Sequence, residues 1–257
     1  MTRRASAELV EIFSGIQGEG PLVGERQIFV RFAGCNLRCR FCDTPLARAA
    51  SARFRAEQTP GERDFESLAN PVTIPDALAL VERLHEPKAL HRSVSLTGGE
   101  PLLQADAVAA MLPGLRAMGL KTYLESNGTL PEALEAAMGE LDYVAMDAKL
   151  PSATRQAPQW EAHRRFLLVC RDHRRDGLSI IVKTVVTDAT PMSEVEQAAA
   201  LVAETVPEAS LVIQPVTPME GIRAPGPGRV LAMQAAAKSR VADVRVIPQV
   251  HKFIGQR

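Results

Sequence analysis

The sequence predicts an α/β fold built as an open, partial parallel β/α barrel of about six strands. Three observations carry this. Apolar runs rich in β-branched residues alternate with segments of helical period. The units number about six, too few for a full eight-stranded barrel. A cluster of small or polar residues follows each of several strand-like runs directly. In parallel sheets, ligand sites lie just there, beyond the carboxyl ends of the strands.

Ile28-Phe-Val-Arg-Phe32 reads as a strand that ends at a cysteine loop. Thr73 then caps a helix with Pro75 in its first turn, and Ile74, Leu78 and Val81 mark the buried face. Ser93-Val-Ser-Leu96 is the next strand, closed by Thr97-Gly-Gly-Glu-Pro101. An Ala-rich helix follows over 105–118, with a kink expected at Pro113. Strands are expected at 121–124, 143–146, 180–186, 211–213 and 244–247. Ser193-Glu-Val-Glu196 reads as a capping box that opens another Ala-rich helix, and a further helix covers 228–238. Glu125-Ser-Asn-Gly128, Asp147-Ala-Lys149 and Gln214-Pro-Val-Thr217 each follow a strand. They should therefore converge with the cysteine loop on one pocket. The stretch 45–71 is rich in Ala, Arg and Glu and has no clear period. It reads as an insertion, a lid or a disordered loop within a single domain spanning 1–257.

With 46% hydrophobic residues, a chain of this length can build one sizeable core. Lys plus Arg number 30 and so do Asp plus Glu, so no net field attracts nucleic acid. The basic stretch from Arg164 to Arg175 carries interleaved Asp172 and His173 and reads as a solvated helix face. No stretch reads as a signal peptide or a membrane span. Four cysteines are too few for a disulfide framework, and reduced thiols place the chain in the cytoplasm.

Cys35, Cys39 and Cys42 stand in Gly34-Cys-Asn-Leu-Arg-Cys-Arg-Phe-Cys-Asp-Thr44, a Cys-x3-Cys-x2-Cys run. Three thiolates this close can hold one compact metal centre but leave it a ligand short. A structural zinc site wants four protein ligands, and the nearest histidine in sequence is His85. The economical reading is a 4Fe–4S cluster with one iron open to a small molecule. A zinc knuckle with a distant fourth ligand is the alternative. Cys170 sits in an apolar run and reads as a small buried hydrophobe.

This run, with Phe41 before its third cysteine, resembles the signature of the radical S-adenosylmethionine superfamily. There the open iron chelates the amino and carboxylate groups of S-adenosylmethionine. Thr97-Gly-Gly-Glu-Pro101 resembles the superfamily's glycine-rich element. The resemblance implies cofactor contacts for Phe41, Cys42, Asp43, Gly99 and Glu100. It also implies that Ser126 and Asn127 meet the methionine or ribose, and that Gln214, Pro215, Val216 and Thr217 border the adenine. Asp147, Ala148 and Lys149 occupy a position where the narrower family often has Ser-Pro-Lys, so Lys149 matches and Asp147 departs.

Glu11-Ile-Phe-Ser-Gly-Ile-Gln-Gly-Glu-Gly20 with Phe29-Val-Arg-Phe-Ala-Gly-Cys35 narrows the resemblance to the 7-carboxy-7-deazaguanine synthase family, a group of lyases. It covers most of the chain, as far as His251-Lys-Phe253. What it implies is removal of hydrogen from C6 of 6-carboxy-5,6,7,8-tetrahydropterin by a 5′-deoxyadenosyl radical, ring contraction and loss of ammonia. Ile16, Gln17, Gly18 and Glu19 would meet the pterin. Arg31 offers a planar fork to its carboxylate, while Thr97 and His251 would also touch it. The family brings its last residue to the substrate, here Arg257 through its backbone terminus. Mg²⁺ would sit on Thr44, although chemistry alone favours Asp43. A flavodoxin- or ferredoxin-type reductant and a homodimer are implied as well. Two competing readings are an activase acting on a protein partner and a non-catalytic iron–sulfur or zinc module.

Overall fold

The computed structural model describes residues 5–256. In chain order the strands are β1 (Ser6–Ala7), β2 (Leu9–Ile16), β3 (Arg26–Phe32), β4 (Arg53–Glu57), β5 (Phe65–Ala69), β6 (Val72–Thr73), β7 (Ser93–Gly98), β8 (Lys121–Ser126), β9 (Tyr143–Asp147), β10 (Ser179–Val186), β11 (Ser210–Pro215) and β12 (Val244–Val246). The α-helices are α1 (Ile74–Leu84), α2 (Ala105–Ala117), α3 (Pro131–Glu135), α4 (Pro151–Thr154), α5 (Trp160–Asp172), α6 (Met192–Thr205), α7 (Pro227–Lys238) and α8 (Val250–Phe253).

Ten strands form one open sheet in the order β12-β11-β10-β9-β8-β7-β3-β2-β4-β5. From β3 to β12 every neighbouring pair is parallel. Six strand–helix units thus end on a seventh strand, and the sheet stays open, as the alternation in the sequence predicts. β2 runs antiparallel beside β3 and extends the sheet to β4 and β5.

Alternation along the strands decides what faces the helices and what faces the barrel interior. In β3, Ile28, Val30 and Phe32 are fully buried in the main core, whereas Phe29 and Arg31 turn to the cavity. In β7, Val94 and Leu96 join that core while Thr97 lines the cavity. Tyr123 and Glu125 of β8, Ala145 and Asp147 of β9, and Ile181 and Lys183 of β10 are the interior residues of their strands. The register sets Lys183 beside Asp147 and Arg31 beside Thr97, so the polar interior positions form one layer at the carboxyl ends.

Thr73 caps α1 as expected, its hydroxyl accepting from Asp76 N at 3.3 Å. Two expectations give way. Residues 45–71 are not a disordered loop. A 3-10 turn over Pro45–Arg48 leads into the β4–β5 hairpin, whose partner is β2 at the sheet edge. Nor is Ser193-Glu-Val-Glu196 a capping box. α6 starts after Pro191, so Ser193 already lies in the helix, and Glu194 accepts from Ser152 Oγ at 2.6 Å instead. The Arg164–Arg175 stretch covers much of α5, where Arg165 pairs with Glu132; just past the helix end Arg174 pairs with Glu208 at 3.2 Å.

Candidate active site

The loop after β3 carries Cys35, Cys39 and Cys42, three free thiols on the wall of one cavity. Leu37 N donates to Cys35 Sγ at 3.4 Å, and Gln156 Nε2 to Cys39 Sγ at 3.7 Å. Burial pushes the Cys35 and Cys39 thiols up, so cluster loading must displace their protons. Cys170 lies fully buried in α5, its thiol pushed up to about 12 by burial, and is no part of this wall. Gly99 holds the loop close. A Cβ there would stand 2.1 Å from Gly34 O and 2.6 Å from Ala47 O, so no side chain fits.

Glu100, expected at the cofactor, lies behind the wall instead. It is fully buried and accepts from Leu102 N at 3.0 Å, Ser126 Oγ at 3.0 Å and Asn127 N at 2.7 Å. Its role is to fix Ser126 and Asn127, which do line the cavity. Burial pushes its carboxyl up despite these three donors.

Across the cavity, Gln17 is tied into a polar net. Its Nε2 donates to Gln27 Oε1 at 3.1 Å and Glu125 Oε1 at 3.0 Å, while its Oε1 accepts from Glu19 N at 3.0 Å. Ser95 Oγ and Thr97 Oγ1 also donate to Glu125, at 3.0 and 2.9 Å. Lys183 pairs with Glu19 and lies 3.4 Å from Asp147, which Lys149 meets at 2.7 Å. Lys149 sits 5.4 Å from the Phe41 ring centroid. Burial alone raises the Glu19 carboxyl, but the Lys183 charge with hydrogen bonds from Lys183 and Gln249 reverses this and holds it below the usual range. Asp147 is likewise lowered against its burial by Lys149 and Lys183.

Arg31 keeps only part of its fork for a ligand, since its Nε donates to Glu11 Oε1 at 3.0 Å. Ile16 and Gly18 line the same wall. The His251 ring stands where a Cβ on Gly18 would be, 1.9 Å from Nδ1, and Val250 N donates to Gly18 O at 2.9 Å. Gln249 Nε2 bridges Glu19 Oε1 at 2.7 Å and Asp43 Oδ2 at 3.0 Å. Glu19, Asp43 and His251 bring donor atoms within 4.8 Å of one another, a set that could hold a hard cation beside Thr44.

The structure does not bring every expected residue to the cavity. Ala148 is buried, with its N on Lys183 O at 2.7 Å. Gln214, Pro215, Val216 and Thr217 do not line the cavity. Val216 joins Val185 and Ile222 in a small apolar cluster against Phe41, and Thr217 Oγ1 donates to Gln249. Arg257 lies outside the described residues. Glu125, Lys183, Arg48 and Gln249 were missed. Lys183 had a signal: a charge inside Ser179-Ile-Ile-Val-Lys-Thr-Val-Val186 needs a buried partner. Glu125 had a weaker one, standing directly before Ser126.

The residues fit the implied groups. Three thiols without a fourth suit a cluster with one open iron. Asp147 lines the cavity, and its Oδ1 is buried without a partner, which suits a ligand with donors to spare.

Residues 29–202 match the model of the Radical SAM superfamily. The chain is 41% identical to a 7-carboxy-7-deazaguanine synthase of Geobacter sulfurreducens, over 98% of this chain and 99% of that one. It is 37% identical to the one of Methanothermobacter thermautotrophicus, over 98% of both chains. Among solved structures it resembles QueE from Escherichia coli at TM-score 0.59 and 19% identity, covering 96% and 95% of the two chains. A radical SAM methyltransferase from Sphaerobacter thermophilus gives TM-score 0.60 at 14% identity, covering 88% of this chain and 70% of that one. These two share the fold. With a cysteine loop, a glycine contact and a polar cavity on one barrel end, and near full-length identity of this order, the chain belongs to the radical S-adenosylmethionine superfamily and, within it, to the 7-carboxy-7-deazaguanine synthase family.

Proposed function

We propose that the cavity takes 6-carboxy-5,6,7,8-tetrahydropterin and returns 7-carboxy-7-deazaguanine with loss of ammonia. The observation that carries this is the polar net of Gln17, Thr97 and Glu125, which faces the three cysteines across one cavity. When bound, the cluster and S-adenosylmethionine supply a carbon-centred radical that can remove hydrogen from the substrate. Cys35, Cys39 and Cys42 would hold the cluster. Gly99 and Asn127 line the cavity and would meet the methionine end, and the unpartnered Asp147 Oδ1 could accept from a donor of the cofactor.

A pterin presents a flat edge rich in N–H donors, and Glu19 and Glu125 are carboxylates placed to accept from it. Lys183 keeps Glu19 ionised for that purpose. The part of the Arg31 guanidinium not used by Glu11 suits the substrate carboxylate. His251 and the Gly18 backbone wall off the far side and exclude water. Thr44 would hold Mg²⁺ with the Asp43 carboxylate beside it, and the ion would supply positive charge to offset the substrate's carboxylate. A flavodoxin- or ferredoxin-type donor, a homodimer and a cytoplasmic setting complete the proposal.

The test is an anaerobic assay of reconstituted protein with S-adenosylmethionine, dithionite, Mg²⁺ and the pterin, read by mass spectrometry. The expected product is 7-carboxy-7-deazaguanine, lost in Cys39→Ala. Formation of 5′-deoxyadenosine without that product would refute the substrate assignment.

A further inference from the structure

The outer surface of the cysteine loop carries a charge pattern the cavity does not use. Arg38 and Arg40 are exposed on either side of buried Cys39. Arg155 joins them: Arg40 N donates to Thr154 O at 3.3 Å, and Arg38 N to Gln156 Oε1 at 3.2 Å, so the loop and the end of α4 share one face. Arg155 is exposed and holds a left-handed conformation, with φ 57°, where the chain leaves α4. Among the described residues none of these three arginines makes an ion pair, although most of the other surface arginines of this chain do. Arg40 Nη2 donates to Gly221 O at 2.6 Å; the neighbouring Glu220 is exposed and unpaired with it. The chain as a whole has zero formal charge, so this basic rim is a local feature.

Two large apolar side chains border the same loop. Leu46, 81% exposed, stands on the 3-10 turn whose Arg48 donates to Cys39 O at 3.2 Å. Leu103, 46% exposed, packs its Cδ1 beside Gly34. Apolar residues with a basic rim, over a site that must receive electrons from outside, make an interface and not a solvated face. Asp43 and Glu19 line the cavity, while exposed Glu220, next to the Gly221 carbonyl that Arg40 holds, offsets part of the rim's charge.

We infer that Arg38, Arg40 and Arg155, with Leu46 and Leu103, form the docking face for an acidic flavodoxin-type protein that reduces the cluster. The charge complements an acidic carrier, and the two leucines suit the apolar edge of a flavin ring. One electron and one proton leave the carrier's flavin hydroquinone, which becomes the neutral semiquinone. The electron enters the cluster that Cys35, Cys39 and Cys42 would hold; the proton goes to solvent. This rests on the radical S-adenosylmethionine assignment, since a face of this kind has a use only if the loop carries a redox centre.

The experiment uses reconstituted full-length protein and an acidic flavodoxin as probe. Its Kd is measured by calorimetry at low and raised salt for the wild type and for the triple variant R38E/R40E/R155E. The expected result is a wild-type Kd that weakens with salt, and a further loss of about 10-fold or more at low salt in the variant. Flavodoxin-driven formation of 5′-deoxyadenosine should slow in parallel, while the dithionite-driven rate stays at the wild-type value. An unchanged Kd would overturn the docking face, including the case in which only the cluster potential moves, because the arginines would then act on the cluster alone. Conversion of a dimer to a monomer by the same substitutions, seen by light scattering, would also overturn it, because the face would then belong to a second copy. Failure of the pterin reading leaves the flavodoxin Kd untouched and shows only in the dithionite assay, so the two proposals fail separately.

Discussion

Lys183→Met removes the cation that holds the cavity floor together while keeping most of its apolar stem. Lys183 faces Glu19 and Asp147, and the three side chains are 17%, 21% and 14% exposed. Breaking a buried pair by deleting one partner costs ~3–5 kcal/mol. Lys149 still covers Asp147, and some water reaches Glu19 from the cavity, so the lower end, about 3 kcal/mol, applies. For a chain of this size that is a fall in Tm of about 6–12 °C. The pH dependence has a definite sign. In the wild type the Glu19 carboxyl is depressed, so its contribution is full above the ordinary carboxylate range and fades as pH falls through the folded value. In the variant, burial and the Asp43 charge push Glu19 up, with the Gln249 hydrogen bond left to oppose them. Its protonated form then suits the folded state, and the deficit relative to wild type should shrink on acidification and widen toward neutral pH. Calorimetry of both proteins from pH 4.5 to 7.5 reads this directly. A deficit of under ~1 kcal/mol that does not vary with pH would show that the pair is too well solvated to matter and would refute the reasoning.

Gly18→Ala places a Cβ 1.9 Å from His251 Nδ1, so α8 must move off the loop at Gly18. The pterin KM should rise about 10-fold or more, while S-adenosylmethionine cleavage without substrate persists. Glu100→Ala strips three buried donors of their acceptor, on Leu102, Ser126 and Asn127. A loss of about 3–5 kcal/mol is expected by denaturant titration, with weaker cofactor binding. Thr44→Ala should abolish stimulation by Mg²⁺ yet leave slow cleavage of S-adenosylmethionine; unchanged stimulation would count against the hydroxyl as a ligand.

Much of the site was legible because it is built from local runs. The cysteine spacing, Thr97-Gly-Gly-Glu and Gln17-Gly-Glu each lie within a few residues, and a parallel sheet sends every strand end to the same side. That rule put Thr97, Ser126, Asn127 and Lys149 on one cavity, and it also sent Gln214, Pro215, Val216 and Thr217 there, which do not line it. It could not tell which residue of a cluster faces inward. Glu100 and Ala148 share their runs with lining residues, yet the backbone turns them away, and Glu100 becomes a buried acceptor for its neighbours.

What the sequence by itself determined is the chemistry offered: three thiols in one loop, polar strand ends, and strands whose inner and outer faces differ by simple alternation. Only the tertiary structure decided the pairings across long separations. Lys183 meets Glu19 164 residues away because β10 reaches the cavity through the sheet. Gln249 joins Glu19 to Asp43 because α8 folds back over the mouth of the barrel. The 45–71 stretch has no period of its own, but the free edge of β2 supplies its partner and turns it into a hairpin. A charge or an edge strand carries no local mark of its partner, so the fold must bring the two together before either can be read.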